Sequence, residues 1–298
     1  MFPIIPANSA AESGNQEGIF GYGSGSYVSM TNLVSDAGVV STDVTGVGTA
    51  RESPAACEYG GDKGIFGYGR IGSHSSTAVS NLVSNTGVVA SDTAGVGTAR
   101  RALAACSYDE DKGIFGFGYD DSSYVSTSNL VSNAGVVATD TTGVGTVRGF
   151  LGACEYGDDK GIFGYGHGGS DLSMTNLVSN AGVVASDTTG VGTVRGFLAA
   201  CSYGGDKGIF GYGNGSAVSM TNLVSNAGVV GTDVAGVGTA RYALAACEYG
   251  GDKGIFGFKG SGGWGAMTNL VSNTGVVASD QAAETGTARG YLAACSFN

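Results

Sequence analysis

Gly113-Ile114-Phe115-Gly116-Phe117-Gly118 is the stretch whose reading decides the fold, because its first four residues recur throughout the chain. Gly-Ile-Phe-Gly begins at Gly18, Gly64, Gly113, Gly161, Gly208 and Gly254, with successive starts 46, 49, 48, 47 and 46 residues apart. The chain is therefore six copies of one unit, and repetition at this period signals a repeat architecture rather than separate cores. Large residues interleaved with glycine read as a strand that its neighbours approach closely.

Working outward from that strand defines the unit, here from Arg100 to Val147. Leu103-Ala104-Ala105-Cys106-Ser107-Tyr108 is a short apolar run suited to a strand buried on both faces. Asp109 to Lys112 supply a tight polar turn into the Gly113 strand. A third strand covers about Ser126 to Ser132, and Asn133-Ala134-Gly135 tolerates the positive φ of a hairpin turn. The fourth starts at Val136-Val137-Ala138 and trails through Asp140 and Gly143 toward Thr146. Four short antiparallel strands per unit, with no helix-period segment competing, predict an all-β chain. The expected form is a six-bladed β-propeller of four-stranded blades over residues 18–298. Residues 1–17 read as an N-terminal arm, with Phe2, Ile4 and Ile5 as candidate docking residues, and a frayed terminus explains them equally well.

The order of motifs resembles the kelch repeat across all six units. The likeness lies in an Arg leading into a small apolar strand, a turn, and an apolar strand ending in glycines such as Gly164-Tyr165-Gly166. Kelch units also carry a double glycine followed by spaced Tyr and Trp, whereas Asn176 to Val184 here holds neither aromatic. The glycine-rich wording is similar, more loosely, to repeats in marine viral and environmental proteins, which implies a virion component or another multi-protein assembly.

The ends of the repeat complement one another. The chain enters at a second strand, Gly18 to Gly23, and stops after a first strand, Leu292 to Phe297. We expect these two to pair and close the ring, which would hide the sheet edges that invite aggregation.

Composition narrows the function. With 14 basic and 25 acidic residues the net charge is -11, a field that repels nucleic acid and anionic membranes. Met1 to Pro6 lacks a basic n-region and no apolar run is long enough to span a bilayer, so a cytoplasmic or virion setting is expected without membrane insertion. Cys57, Cys106, Cys154, Cys201, Cys247 and Cys295 occur once per unit in one context, as expected of buried free thiols. Without CxxC pairs or repeated histidines they give no zinc pattern. Nothing implies a cofactor.

Strand direction puts the turns after the first and third strands on one side of the molecule. The loops after the second strand and the connections between units lie on the other. The first group is uniform, with Asp-Lys in five units. The second group varies and holds both histidines and the one tryptophan: Arg70, His74, Tyr119, Asp120, Asp121, His167, Asp171 and Trp264 are the candidate binding residues. Drift in unconstrained loops explains such variation equally well.

On the same side lie Arg51, Arg100, Arg148, Arg195, Arg241 and Arg289, each preceded eight or nine residues earlier by an Asp. A structural ring of buried or half-buried Arg and Asp pairs, within or between blades, accounts for both, since a charge near a core needs a partner. Guanidinium groups facing the channel mouth and binding a carboxylate are the alternative. Separated histidines and scattered acids give no nucleophile and base, so no catalytic residues are assigned. The expected function is a non-catalytic scaffold that binds a protein or glycan through the variable side. A purely structural virion decoration is the alternative, and a propeller enzyme ranks below both.

Deletion of residues 290–298 should lower the melting temperature of the whole chain, not of one unit. A truncated protein that melts like the parent would refute the expected closure.

Overall fold

Alternation of side chains along each second strand sets the packing. In β1 (Glu17–Gly23), Gly18 and Phe20 share one face while Ile19 and Gly21 share the other, so each face carries one large residue beside one vacancy. The computed structural model describes residues 16–72, 75–259, 263–281 and 286–297.

The described residues form antiparallel strands and no helix. β1 pairs with β2 (Val28–Val34). The next sheet is β3 (Ala55–Tyr59), β4 (Lys63–Gly67) and, after a short hairpin of β5 (Arg70–Ile71) and β6 (Ser75–Ser76), β7 (Ser80–Val83). Then come β8 (Ala104–Tyr108), β9 (Lys112–Tyr119) and β10 (Tyr124–Val131), followed by β11 (Gly152–Tyr156), β12 (Lys160–His167) and β13 (Asp171–Val178). The fifth sheet is β14 (Ala199–Tyr203), β15 (Lys207–Gly213) and β16 (Val218–Val224), and the sixth is β17 (Ala245–Tyr249), β18 (Lys253–Gly257) and β19 (Thr268–Val271). β20 (Ala293–Phe297) completes the first sheet on β1, with Ile19 opposite Cys295. That pairing starts at Glu17, one residue before the expected limit of the arm. Residues 1–15, with Phe2, Ile4 and Ile5, lie outside the described residues.

The expected fourth strand is the correction. Each of the six repeated sheets has three strands, and in the third of them the fourth segment touches β10 only at isolated bridges, Val131 to Val137 and Ser128 to Thr141. Three steps along β10 match four along the outer segment, so the ladder slips by one residue. The carbonyl of Ala138 in that gap accepts from the side-chain amide of Asn129 at 2.9 Å, which replaces the missing ladder bond.

Six apolar clusters form the core, each shared by two consecutive sheets. One joins Ile19 and Cys295 to Phe66 and Val83. Another joins Ile255 and Cys247 of the sixth sheet to Phe20 and Val34 of the first, so the succession of contacts returns to its start. Vacancy and ring interlock across every cluster: a Cβ on Gly116 would lie 2.7 Å from Cζ of Phe163, and one on Gly257 equally close to Phe20. On the opposite face a Cβ on Gly113 would meet Sγ of Cys57. All six cysteines are free and buried, and burial pushes the Cys57 thiol well above its ordinary range.

Buried arginines tie each sheet to the next. Arg100 donates from Nη2 to Oδ1 of Asn129 at 2.7 Å, from Nε to the carbonyl of Phe117 at 2.8 Å and from Nη1 to that of Thr98 at 3.2 Å. Its guanidinium also lies over the ring of Tyr68 in the preceding sheet, 4.4 Å from the centroid. Phe117, where the register slips at the end of β9, and Tyr68, just past β4, both have left-handed φ angles of 63°, which helps turn these rings toward the arginines.

Asp140 stands 3.8 Å from Arg100 and accepts from the amide and hydroxyl of Thr98 and the amide of Asn129. The acid that meets Arg100 is thus the one near the end of the unit that the arginine opens, not Asp92 eight residues before it, because the arginine leads into the sheet that carries Asn129 and Phe117. Arg289 repeats the pattern on Asn32, Tyr22 and Asp43. In Arg51 and Arg241 the Nε bond is missing and the remaining contacts carry the clamp. Burial draws Arg148 down to about 10, still cationic at neutral pH.

Burial raises the Asp140 carboxyl, but the bonds from Thr98 and Asn129 and the charge of Arg100 outweigh it and hold the group below the usual range. The equivalent acids Asp43, Asp92, Asp187, Asp233 and Asp280 are lowered by the same kinds of bond. Farther along the first strands Glu58, Glu155 and Glu248 alternate with Ser107, Ser202 and Ser296 around a cavity of about 50 Å³. Burial and the neighbouring carboxylates push Glu155 and Glu248 well up.

Two measurements check this packing. Gly116→Ala should cost about 1–3 kcal/mol in urea unfolding by overpacking Phe163, and pairing it with Phe163→Leu should show non-additive recovery. In the stability–pH profile, the lowered aspartates contribute stability above their unfolded pKa of about 4 that is lost as pH falls through the native value. The raised glutamates work in the opposite sense, losing stability as pH rises above their unfolded value of about 4.3. Asp140→Asn should therefore destabilise at pH 7 by about 1–3 kcal/mol with a smaller penalty at pH 3, and Glu248→Gln should flatten the decline toward alkaline pH.

Candidate functional site

Two residues after each clamp arginine stand Ser53, Ala102, Phe150, Phe197, Ala243 and Tyr291, all with φ between 51° and 57°. Each backbone N–H donates to the carbonyl of the equivalent residue one unit back: Ala102 to Ser53 at 3.1 Å, Phe150 to Ala102 at 2.7 Å, and Phe197 to Phe150 at 2.8 Å. Ala243 and Tyr291 continue the series, and Ser53 donates to Tyr291 at 2.7 Å, so six bonds make a closed cycle. Left-handed backbone costs a non-glycine residue strain that the surrounding structure must hold. Here a main-chain bond holds it, which leaves the side chain free to differ from unit to unit.

Those side chains surround a cavity of about 110 Å³ whose wall beneath them is mainly alanine and leucine. At its mouth Phe150, Phe197 and Tyr291 also border an open cavity of about 550 Å³. The Phe150 and Phe197 rings stack with centroids 3.9 Å apart, and Tyr242 and Tyr291 each meet Phe197 edge-on at 6.2 Å. Burial, Tyr242 and Glu52 together raise the Tyr291 phenol, against the pull of Arg70.

Charged groups complete the wall. Arg70 forms an ion pair with Glu52, and their backbones bridge as well. Arg101 pairs with Asp121 and lies 4.9 Å from the centroid of Tyr119. Burial raises the Asp121 carboxyl, but the amide and hydroxyl of Ser76 and the charge of Arg101 outweigh it and keep the group low. Lys259 is buried with its ammonium over two aromatic faces, 4.6 Å from Trp264 and 4.8 Å from Tyr242. Gly290 makes room for this pair, since a Cβ there would come within 2.7 Å of Lys259 Cδ and 2.9 Å of Trp264.

Of the residues singled out from the sequence, Arg70 and Trp264 line the open cavity. Tyr119 and Asp121 adjoin it through Arg101. His167 and Asp171 form a second row away from the wall: Tyr119 meets Tyr124 edge-on, Tyr124 meets His167, and His167 Nδ1 lies 2.9 Å from Asp171. Asp120 accepts from Ser122 and Ser123 within its own turn. His74 lies outside the described residues. The clamp arginines have their guanidinium groups buried among internal acceptors, away from the mouth.

Sequence reasoning missed Glu52, Arg101, Phe150, Phe197, Tyr242, Lys259 and Tyr291. A signal for most of them was present: the two positions after each clamp arginine read Glu-Ser, Arg-Ala, Gly-Phe, Gly-Phe, Tyr-Ala and Gly-Tyr, a break in repetition as sharp as that of the longer loops.

The arrangement suits non-covalent recognition, with aromatic faces for an apolar surface and cations for an anion. Among the described residues no three His, Cys, Asp or Glu side chains are grouped to hold a metal ion. No protein-family model matches the sequence, and no curated protein matches it.

Proposed function

We propose that residues 18–298 form a six-bladed, kelch-like β-propeller acting as a non-catalytic scaffold that binds a protein or glycan through its variable side. The observation that carries this reading is the concentration of unrepeated aromatic and charged residues around one mouth, on a frame whose clamps and interlocks repeat six times. Rigid frames with variable loops are a common basis of recognition. The cyclic succession of sheet contacts and the pairing of β20 with β1 support the propeller.

A second reading, a structural module docking on a symmetric partner such as a virion component, has its own support on the uniform side. Val39, Val88, Val136, Val183, Val229 and Val276 occupy the same turn in every unit and are each 64–65% exposed.

A glycan array and binding measurements with its hits test the first reading. Trp264→Ala and Tyr119→Ala should abolish or weaken the signal by at least about ten-fold while leaving the melting temperature close to the parent's. Silence across the array removes glycan recognition, and binding that survives both changes removes this mouth.

A further inference from the structure

We infer that the mouth bordered by Lys259, Arg70 and Arg101 is a binding site for a carboxylate carried on a six-membered ring, either a sugar acid or a small aromatic acid. The inference rests on the proposed recognition function and names the ligand chemistry of that same site.

Charge is the first argument. The chain carries a net charge of -11, yet three cations and one carboxylate, Glu52, line this cavity. A pocket of local positive sign on an acidic surface favours an anion from among the solutes that reach it.

Two of the cations, Arg101 and Lys259, are also held in a way that leaves donors for a ligand. Arg101 engages Asp121 and Ser76 through Nη1, one edge of a guanidinium that has five N–H donors. Among the described residues, no carboxylate lies within ion-pair distance of the Lys259 ammonium, which is held instead by the faces of Trp264 and Tyr242. A cation–π contact positions an ammonium without consuming its hydrogen-bonding capacity, so an arriving carboxylate gains charge-assisted bonds at a partly dehydrated site.

The aromatic floor supplies the ring preference. Phe150, Phe197 and Tyr291 offer an apolar surface bounded by the backbone cycle. The volume of about 550 Å³ falls within the range of small-molecule sites. A ligand with a flat or C–H-rich face and one carboxylate satisfies floor and rim together, whereas a neutral sugar brings no anion to the Lys259 ammonium.

Titration calorimetry on the full chain with sodium glucuronate and sodium benzoate, against glucose and benzyl alcohol, tests this. Saturable binding of either acid at least about ten-fold tighter than its neutral counterpart is expected, and which acid binds identifies the source of the carboxylate. Lys259→Gln and Arg101→Gln should each weaken that binding by about ten-fold or more, and Phe197→Ala should weaken it as well. Should a variant fail to fold, the parent protein still decides the matter: acid binding should weaken as sodium chloride rises from about 20 to about 500 mM, because Arg70 and Arg101 at the rim are partly exposed and are screened.

No acid binding, neutral ligands binding as tightly as the acids, or salt-independent affinity would overturn the inference. If both acids fail while Trp264→Ala still abolishes an array signal for neutral glycans, the recognition function stands and only the anionic specificity falls. If acid binding depends on Lys259 while the array stays silent, the inference stands with a small aromatic acid as the ligand.

Discussion

A guanidinium removed from water must recover most of its hydrogen bonds within the protein, and the rest of this structure is arranged to meet that demand six times. Arg100 reaches a side-chain amide, two carbonyls and an aspartate, and covers an aromatic ring of the adjacent sheet. The acceptors lie in the sheet the arginine leads into, while the ring belongs to the sheet before it. Each clamp therefore sets the placement of one sheet against another rather than merely satisfying a charge. Asn129 takes part twice, accepting from Arg100 and donating to the outer segment, so the buried charge and the irregular fourth segment share one polar network.

Packing and polar satisfaction converge because both alternate along the same second strands. A large residue on each face fills the vacancy left by a neighbouring glycine, and the left-handed residue beyond that glycine carries an aromatic ring that an arginine covers. Interlocks of this kind tolerate little change in volume, since an added methyl meets a ring or sulfur already held in place. The final sheet takes its partner from the first, so no unit is exempt from these constraints.

The mouth differs because its geometry is held by the main chain. Six N–H to carbonyl bonds fix these residues whatever side chains they bear, and Ser, Ala, Phe and Tyr all occur there. Variation is therefore tolerated at the mouth, where a ligand would meet it. The frame and the proposed recognition surface are separable in physical terms, one resting on buried side chains and the other on side chains that the frame does not require.

By itself the sequence determined the repeat, its antiparallel strands, the tight turns and the burial of one cysteine per unit, because these follow from spacing and from the alternation of Gly, Ile and Phe. It also marked the longer loops, and with them Arg70, Tyr119, Asp121 and Trp264. The outer segment was legible only as apolar residues in the right place; that Asn129 would displace its ladder bond depended on a contact nine residues away that no local propensity encodes. The partner of each arginine was likewise hidden, since Asp92 is the nearer along the chain while Asp140, far downstream, is the one that folds against Arg100. Only the tertiary structure decided which acid meets which charge, and only it gathered Glu52, Arg101, Phe197, Lys259 and Tyr291 around one mouth. Residues separated by about two hundred positions become neighbours there because the last sheet packs on the first, a long-range consequence of the fold that no stretch of sequence carries alone.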